Sequence, residues 1–223
     1  VTPESVGVKS SAIKAFVDEI NSKKLGLQSF TMVRHDKVFA QGFWKPYAAD
    51  IPHVLYSMSK SVTSTAVGFA VDEGLISLDD KVCKFFPEYF AAKLPINKAL
   101  TVRMLLTMRS DKFITVFDEK GGKDWIKQFF DAGYMMPPNT KFNYISENTF
   151  MLSAIVSKVT GMSVADYLYP RMFAPLGIEK PFWETDGKGN NAGGWGLYMK
   201  SEDLAKFFLP YIHEGKWKDG TQI

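Results

Sequence analysis

Apolar residues recur at Ile13, Phe16, Val17 and Ile20, the spacing of a helix stripe, behind a serine start at Ser10. Two β-rich runs follow, 30–34 and 37–43, on either side of His35-Asp36. A polar pair between two such runs predicts a β-hairpin. Pro46 closes it, since proline cannot continue a central strand. A loop with Asp50, Pro52 and His53 leads into a helix predicted from Tyr56 to Glu73, with Gly74 at the C′ position. Beyond it the pattern is helical. A short helix opens at 78–82 and stops at Pro87, and others are predicted over 101–108, 124–132 and 148–159, the last ended by Gly161. Ser163-Val164-Ala165-Asp166 has the reciprocal-cap pattern of a helix running into 170–173. Residues 177–200 are rich in glycine and turns, after which Ser201 is expected to cap a last helix over 202–213, ended by Gly215.

A two-stranded hairpin is marginal by itself. Either a helix bundle carries a small ribbon, or the sheet needs strands that the chain does not supply after Gly215. The second is favoured, so the reading expects the C-terminal strands to lie beyond Ile223.

Composition narrows the class. With 223 residues, 46% of them hydrophobic and 23% charged, the chain can bury a full globular core. The balance of 27 basic and 24 acidic residues is too even to argue for nucleic acid or an anionic membrane as partner. No apolar run is long enough for a transmembrane segment, so a soluble protein is expected, cytoplasmic or secreted after signal removal. Cys83 is alone, which excludes an internal disulfide framework. Oligomeric state is not legible.

The chemistry centres on Ser57 and Lys60, three residues apart on the predicted helix and so on one face. A hydroxyl beside an amine at a helix N-terminus suits a nucleophile, because unpaired N–H groups there favour developing negative charge. The spacing alone is weak: 16 serines and 23 lysines give roughly 1.7 Ser-x-x-Lys matches by chance. The second match, Ser11 to Lys14, lies in the amphipathic first helix and reads as a cap and a surface lysine. Ser57 stands apart because it follows a hairpin and opens a helix dense in small residues, Ser61, Thr63, Ser64, Thr65, Ala66, Gly68 and Ala70, expected to pack on all sides. A serine needs a partner to take its proton, and a lysine or a phenolate beside a cation can serve. Tyr144, on a short extended piece after the turn Pro137-Pro138-Asn139-Thr140, is the candidate.

Ser57-Met58-Ser59-Lys60, with Tyr144 ahead of a helix ending Val159-Thr160-Gly161, resembles the serine β-lactamase and penicillin-binding-protein superfamily. The similarity is greatest to its class C β-lactamase, esterase and 6-aminohexanoate-dimer hydrolase branch. Further landmarks are 74–82, 102–108, Pro175-Leu176-Gly177-Ile178 and Gly193-Gly194-Trp195-Gly196-Leu197, so the resemblance covers nearly the whole chain. It implies an α/β (α+β) fold, with helices on an antiparallel sheet plus an all-helical subdomain. Residues 1–74 and 201–223 would form the first part and 75–200 the second. It also implies a Ser57 nucleophile that forms an acyl-enzyme, Lys60 and Tyr144 sharing the proton transfers, and a backbone oxyanion donor at Ser57. Ser146 and Trp195 would meet the substrate, a small-molecule ester, amide or β-lactam, with no cofactor and no metal.

Two departures shape the expectation. The second motif reads Tyr144-Ile145-Ser146 where the superfamily often has Tyr-x-Asn. Serine offers a hydroxyl where asparagine offers a carbonyl and an amide, which moves the reading from β-lactams towards esters and linear amides. The third motif, on a late strand, is matched only loosely by Lys120-Gly121-Gly122, His213-Glu214-Gly215 and Lys218-Asp219-Gly220, all in turns or at helix ends. The residues up to Ile223 are therefore expected to fall short of a competent enzyme.

Rival readings are weaker. Gly161-Met162-Ser163-Val164-Ala165 approximates a nucleophile elbow, but a helix precedes it where a strand is needed, so Ser163 reads as a cap. His35 and His213 read as solvated, and Asp79-Asp80 as serving a helix N-terminus rather than a metal. The alternatives of another class are a penicillin-binding or sensor-type domain that is acylated but turns over slowly, and a non-catalytic relative.

Overall fold

The computed structural model describes residues 1–90, 95–113 and 124–223. Its main elements are α1 (Ser10–Ser22), β1 (Ser29–Arg34), β2 (Lys37–Phe43), α2 (Ser59–Asp72), α3 (Val82–Phe85), α4 (Pro87–Phe90), α5 (Val102–Leu106), α6 (Trp125–Asp131), α7 (Ser146–Thr160), α8 (Val164–Leu168) and α9 (Ser201–Ile212). By backbone contacts the chain forms two compact units. The first comprises Val1–His53, Arg171–Glu179 and Met199–Ile223, and the second Val54–Pro170 and Lys180–Tyr198. Relative to the sequence-based division, residues 54–74 fall in the second unit, and Arg171–Glu179 and residues 199–200 fall in the first.

In the first unit β1 and β2 form the expected hairpin, antiparallel from Ser29 opposite Phe43 to Arg34 opposite Lys37. His35 and Asp36 both adopt positive φ, 51° and 59°, as a type I′ turn requires. Phe30 faces Gly42, and its ring lies where a Cβ at that glycine would stand, 2.3 Å away. Phe16 of α1 meets Phe30 edge-on at 5.3 Å, and α9 packs on β1. Ser201 does not cap α9 as expected. Lys200 is the N-cap, and the Ser201 hydroxyl lies 2.8 Å from that of Thr31. Nor is His213 free in solvent: its Nε2 lies 2.6 Å from Asp36 Oδ1.

The second unit is built on α7. Every residue from Glu147 to Val156 is buried, so this helix has no solvent face over that length. Even its polar residues Glu147, Asn148, Thr149 and Ser153 are enclosed, because α2, α3, α5, α6 and α8 all pack against it. Truncating a fully buried ring such as Phe150 to alanine removes about 3–5 kcal/mol. The expectation that α2 packs on all sides is corrected here. Val62, Thr63, Ala66, Val67 and Ala70 are buried, but Ser64 and Gly68 are exposed, and a Cβ at Gly68 would meet nothing within 4 Å. Small side chains let α2 approach α7 closely on one face only.

Gly161 ends α7 in the left-handed conformation, φ 70°, and the Ser163 hydroxyl accepts from Asp166 N as a true cap. A π-helical turn at Tyr169–Phe173 follows α8. Asp79 and Asp80 do not cap a helix: Asp79 takes both Arg103 Nε and Nη2, at 3.0 and 3.1 Å, while Asp80 accepts from Ser77 N. Lys218-Asp219-Gly220 and His213-Glu214-Gly215 lie in turns of the first unit, and Lys120-Gly121-Gly122 lies outside the described residues. Among the described residues no helix is long and apolar enough to cross a membrane.

Lys112 is the unexpected feature of the core. It is fully buried, its Nζ donates to Ala132 O at 2.9 Å, and it lies over the rings of Tyr134 and Phe129 at 4.1 and 4.9 Å. Burial lowers its pKa from 10.5 to about 7, with the charge of Asp131 opposing the fall. Between these values the unfolded chain holds the proton and the folded chain does not. Stability therefore falls as pH drops from 10.5 towards 7, by up to about 1.4 kcal/mol per unit, and this contribution is flat below. Lys112→Met is expected to be more stable than the parent near pH 7, with the difference shrinking as pH rises towards 10.5. Urea midpoints across that range check it; a difference independent of pH would show that Lys112 keeps its charge on folding.

Candidate active site

Ser57 lies in a single 3-10 turn, Tyr56–Met58, that runs into α2 at Ser59. The sequence placed Ser57 inside the helix proper, and the structure places it two residues before. Neither the turn nor α2 has a side-chain cap, so the Ser57 hydroxyl is not used to end a helix. It is exposed, while Lys60 is half-buried one turn on.

The ammonium of Lys60 has three N–H donors and uses each. It donates to Ser57 Oγ at 3.1 Å, to Ser146 Oγ at 2.9 Å and to Gly194 O at 2.7 Å. The acceptors come from three separate stretches: the turn before α2, the first residue of α7 and the glycine-rich segment. A half-buried cation needs such partners, because leaving it unpaired is costly. Its Nζ also lies 4.9 Å from the centre of the Tyr144 ring.

Tyr144 is half-exposed, and burial alone would raise its pKa. The polar neighbours Ser57 and Lys60, together with the charge of Lys60, outweigh that and bring the phenol below its ordinary value. A cation beside the phenol stabilises the phenolate, which makes Tyr144 a better proton acceptor. Ser57, Lys60, Tyr144 and Ser146, predicted from the sequence, are thus brought together, all within the second unit. Trp195 follows Gly194 directly; its ring stands 5.4 Å from that of Trp125, and its carbonyl accepts from Trp183 Nε1 at 2.8 Å.

Several supporting residues had no signal in the sequence. Ser59 and Thr63, both buried on α2, accept from Leu197 N at 3.3 Å and donate to Gly193 O at 2.9 Å, so α2 holds the segment on both sides of Gly194. Asp111, also buried, accepts from Thr140 N and Lys141 N at 3.0 and 3.2 Å, while Asn143 N donates to Met108 O at 2.8 Å. These bonds fix the turn that delivers Tyr144. Tyr56 precedes the serine with a φ of 43°, a left-handed conformation that costs a bulky residue energy and tends to cluster at functional sites.

The glycines at 193 and 194 are required by contact. A Cβ on Gly193 would stand 2.7 Å from Thr149 O, and one on Gly194 would stand 2.6 Å from Ser146 O. Only a backbone without side chains lies this close to α7, and that approach is what carries Gly194 O to Lys60.

A serine, a lysine one turn on and a tyrosine from a separate loop, on helices of this packing, define a Ser-x-x-Lys arrangement with its serine at the head of a helix. The chain belongs to the Beta-lactamase family, whose model matches residues 13–222. It is 26% identical to penicillin-binding protein 4 of Amycolatopsis lactamdurans, over 97% of this chain and 62% of that protein. It is 24% identical to 6-aminohexanoate-dimer hydrolase of Paenarthrobacter ureafaciens, over 92% of this chain and 57% of the relative. The chain thus spans about three-fifths of the length of these relatives. The fold is shared with the octameric penicillin-binding protein homologue from Pyrococcus abyssi, at a TM-score of 0.73 and 20% identity over 94% of this chain and 57% of that one.

Gly194→Ala is expected to lower stability by about 1–3 kcal/mol, because the added methyl must displace the Ser146 carbonyl. Gly68→Ala, with open space at its Cβ on the exposed face of α2, is expected to gain about 0.5–1 kcal/mol. Urea denaturation of both variants tests this, and equal midpoints would show that close packing at Gly194 is not what holds the segment.

Proposed function

We propose that this protein is a serine hydrolase that cleaves an ester or amide bond through an acyl-enzyme on Ser57. The observation that carries the reading is the convergence on Lys60 of the Ser57 hydroxyl, the Ser146 hydroxyl and the Gly194 carbonyl. Family membership supports hydrolysis as the general chemistry.

In this reading Ser57 Oγ attacks the substrate carbonyl as its proton passes to Tyr144, whose phenolate the Lys60 ammonium stabilises. The proton then goes to the leaving alcohol or amine as its bond to the carbonyl breaks and the acyl group stays on Ser57. Water next attacks this ester, and Tyr144 takes its proton and returns it to Ser57 Oγ as the Ser57–acyl bond breaks and the acid leaves. The N–H of Ser57 is one candidate donor to the oxyanion.

Ser146 favours an ester or linear amide over a β-lactam. Its oxygen accepts from Lys60, which leaves one O–H to offer a substrate, whereas an asparagine would offer both a carbonyl and an amide. The relatives' names, a dimer hydrolase and a penicillin-binding protein, support an acyl substrate and span both possibilities. The rings of Trp195 and Trp125 stand ready as an apolar wall for the acyl or leaving group.

Ser57→Ala in the full-length protein is expected to abolish hydrolysis of a short-chain p-nitrophenyl ester and labelling by a fluorophosphonate, read by intact mass. Ser11→Ala, on the exposed face of α1, is expected to leave both unchanged. Tyr144→Phe is expected to lose about 100-fold or more in kcat/KM, the usual scale of a proton-transfer group. Full activity in Ser57→Ala would overturn the assignment, and full activity in Tyr144→Phe would leave Lys60 as the base. A stable adduct without turnover would mark an acylated sensor.

A further inference from the structure

Glu147 stands one residue past Ser146, in the first turn of α7, and is only 2% exposed. Its Oε2 is buried without a hydrogen-bond partner among the described residues, and so is Oδ1 of the adjacent Asn148. An orphaned carboxylate oxygen at this depth is expensive, and buried acids are ordinarily paired or lose their charge. Lys60 is the nearby cation with an electrostatic effect on it, yet that ammonium already has three acceptors elsewhere. Glu147 therefore acts on the cluster through its charge and not through a bond.

We infer that Glu147 is a positioning residue for this site: its ionisation competes with Tyr144 for the charge of Lys60 and so sets the pH at which Ser57 is activated. The inference rests on the reading of Ser57, Lys60 and Tyr144 given above. Burial raises the carboxyl's pKa, against the pull of its own backbone N–H and of Lys60, so its charge change moves up towards the range in which the base forms. Glu147 and Tyr144 are then coupled through the one cation between them, Lys60. With Glu147 neutral, the whole charge of Lys60 acts on Tyr144. With Glu147 ionised, the added negative charge disfavours the phenolate. That delays activation of Ser57 to higher pH.

Of the other charged groups on elements packed against α7, Asp72 stands at the opposite end of α2 from Lys60, and the rest are paired elsewhere. Arg103 of α5 pairs with Asp79, Lys84 of α3 with Asp80, Lys127 and Asp131 of α6 with each other, and Asp166 of α8 with Lys180. Glu88 of α4 pairs with Lys158 of α7 itself. Lys60 on α2 and Tyr144 ahead of α7 are the groups that face Ser57.

The test is the pH dependence of Ser57 labelling by a fluorophosphonate in the full-length protein, which reads nucleophile activation whether or not the acyl-enzyme turns over. Glu147→Gln keeps the shape and removes the charge. Its rising limb is expected to move towards lower pH by about half a unit or more, with Glu147→Asp lying between variant and parent. A limb that stays in place overturns the inference, whatever happens to the overall rate, since a purely structural role would lower labelling at every pH without displacing the limb. Failure of this kind leaves the assignment of Ser57 standing, because the parent still labels. Absence of labelling in the parent removes the site assignment and the inference with it.

Discussion

Everything in the second unit that bears on chemistry depends on keeping one half-buried ammonium satisfied. Lys60 reaches into a region where water can solvate it only in part, so its three protons need fixed acceptors. Those acceptors come from the turn before α2, the start of α7 and the backbone at Gly194, and none of the three is held by the same local structure. The cation therefore acts as a tie between segments far apart in the chain. It also explains why a serine can stand exposed beside it without being spent as a helix cap.

The packing around that tie is specified from both sides. α7 is enclosed along ten residues, which leaves little freedom in where Ser146 stands. Small residues on one face of α2 admit close approach, and Gly193 and Gly194 allow the backbone to lie against α7 where no Cβ fits. Ser59 and Thr63 then hold the same segment from the α2 side. Buried polar groups of this kind are useful only when fully satisfied, and here most are. Of the four side chains with an orphaned buried atom among the described residues, Glu147 and Asn148 lie immediately beside the acceptor Ser146. Imperfect satisfaction beside a titrating cluster is what makes Glu147 worth reading as part of the chemistry.

The elements were largely legible because they rest on local rules. The hairpin with its polar two-residue turn, the glycine stop after α7 and the Ser163 cap depend on φ preference and side-chain reach within a few residues. Where an element's end depends on a distant partner, local rules do not reach it. Ser201 looked like a cap, but its hydroxyl meets Thr31. Asp79 looked like a helix-terminus acid, but Arg103 takes it. α2 was expected to be enclosed, whereas the enclosed helix is α7, since small residues permit contact on every face without requiring it.

The site divides along the same line. The amino-acid order by itself determined that Ser57 and Lys60 share a helical face, that Tyr144 arrives on a separate extended piece, and that Gly193-Gly194-Trp195-Gly196 is a landmark. Those follow from helical geometry, turn chemistry and resemblance. Only the tertiary structure decided which oxygens meet the Lys60 ammonium, that Asp111 clamps the turn bearing Tyr144, and that Glu147 is buried beside them with an orphaned oxygen. Such contacts join residues tens of positions apart, and charge, burial and hydrogen bonding between them exist only once the helices are packed.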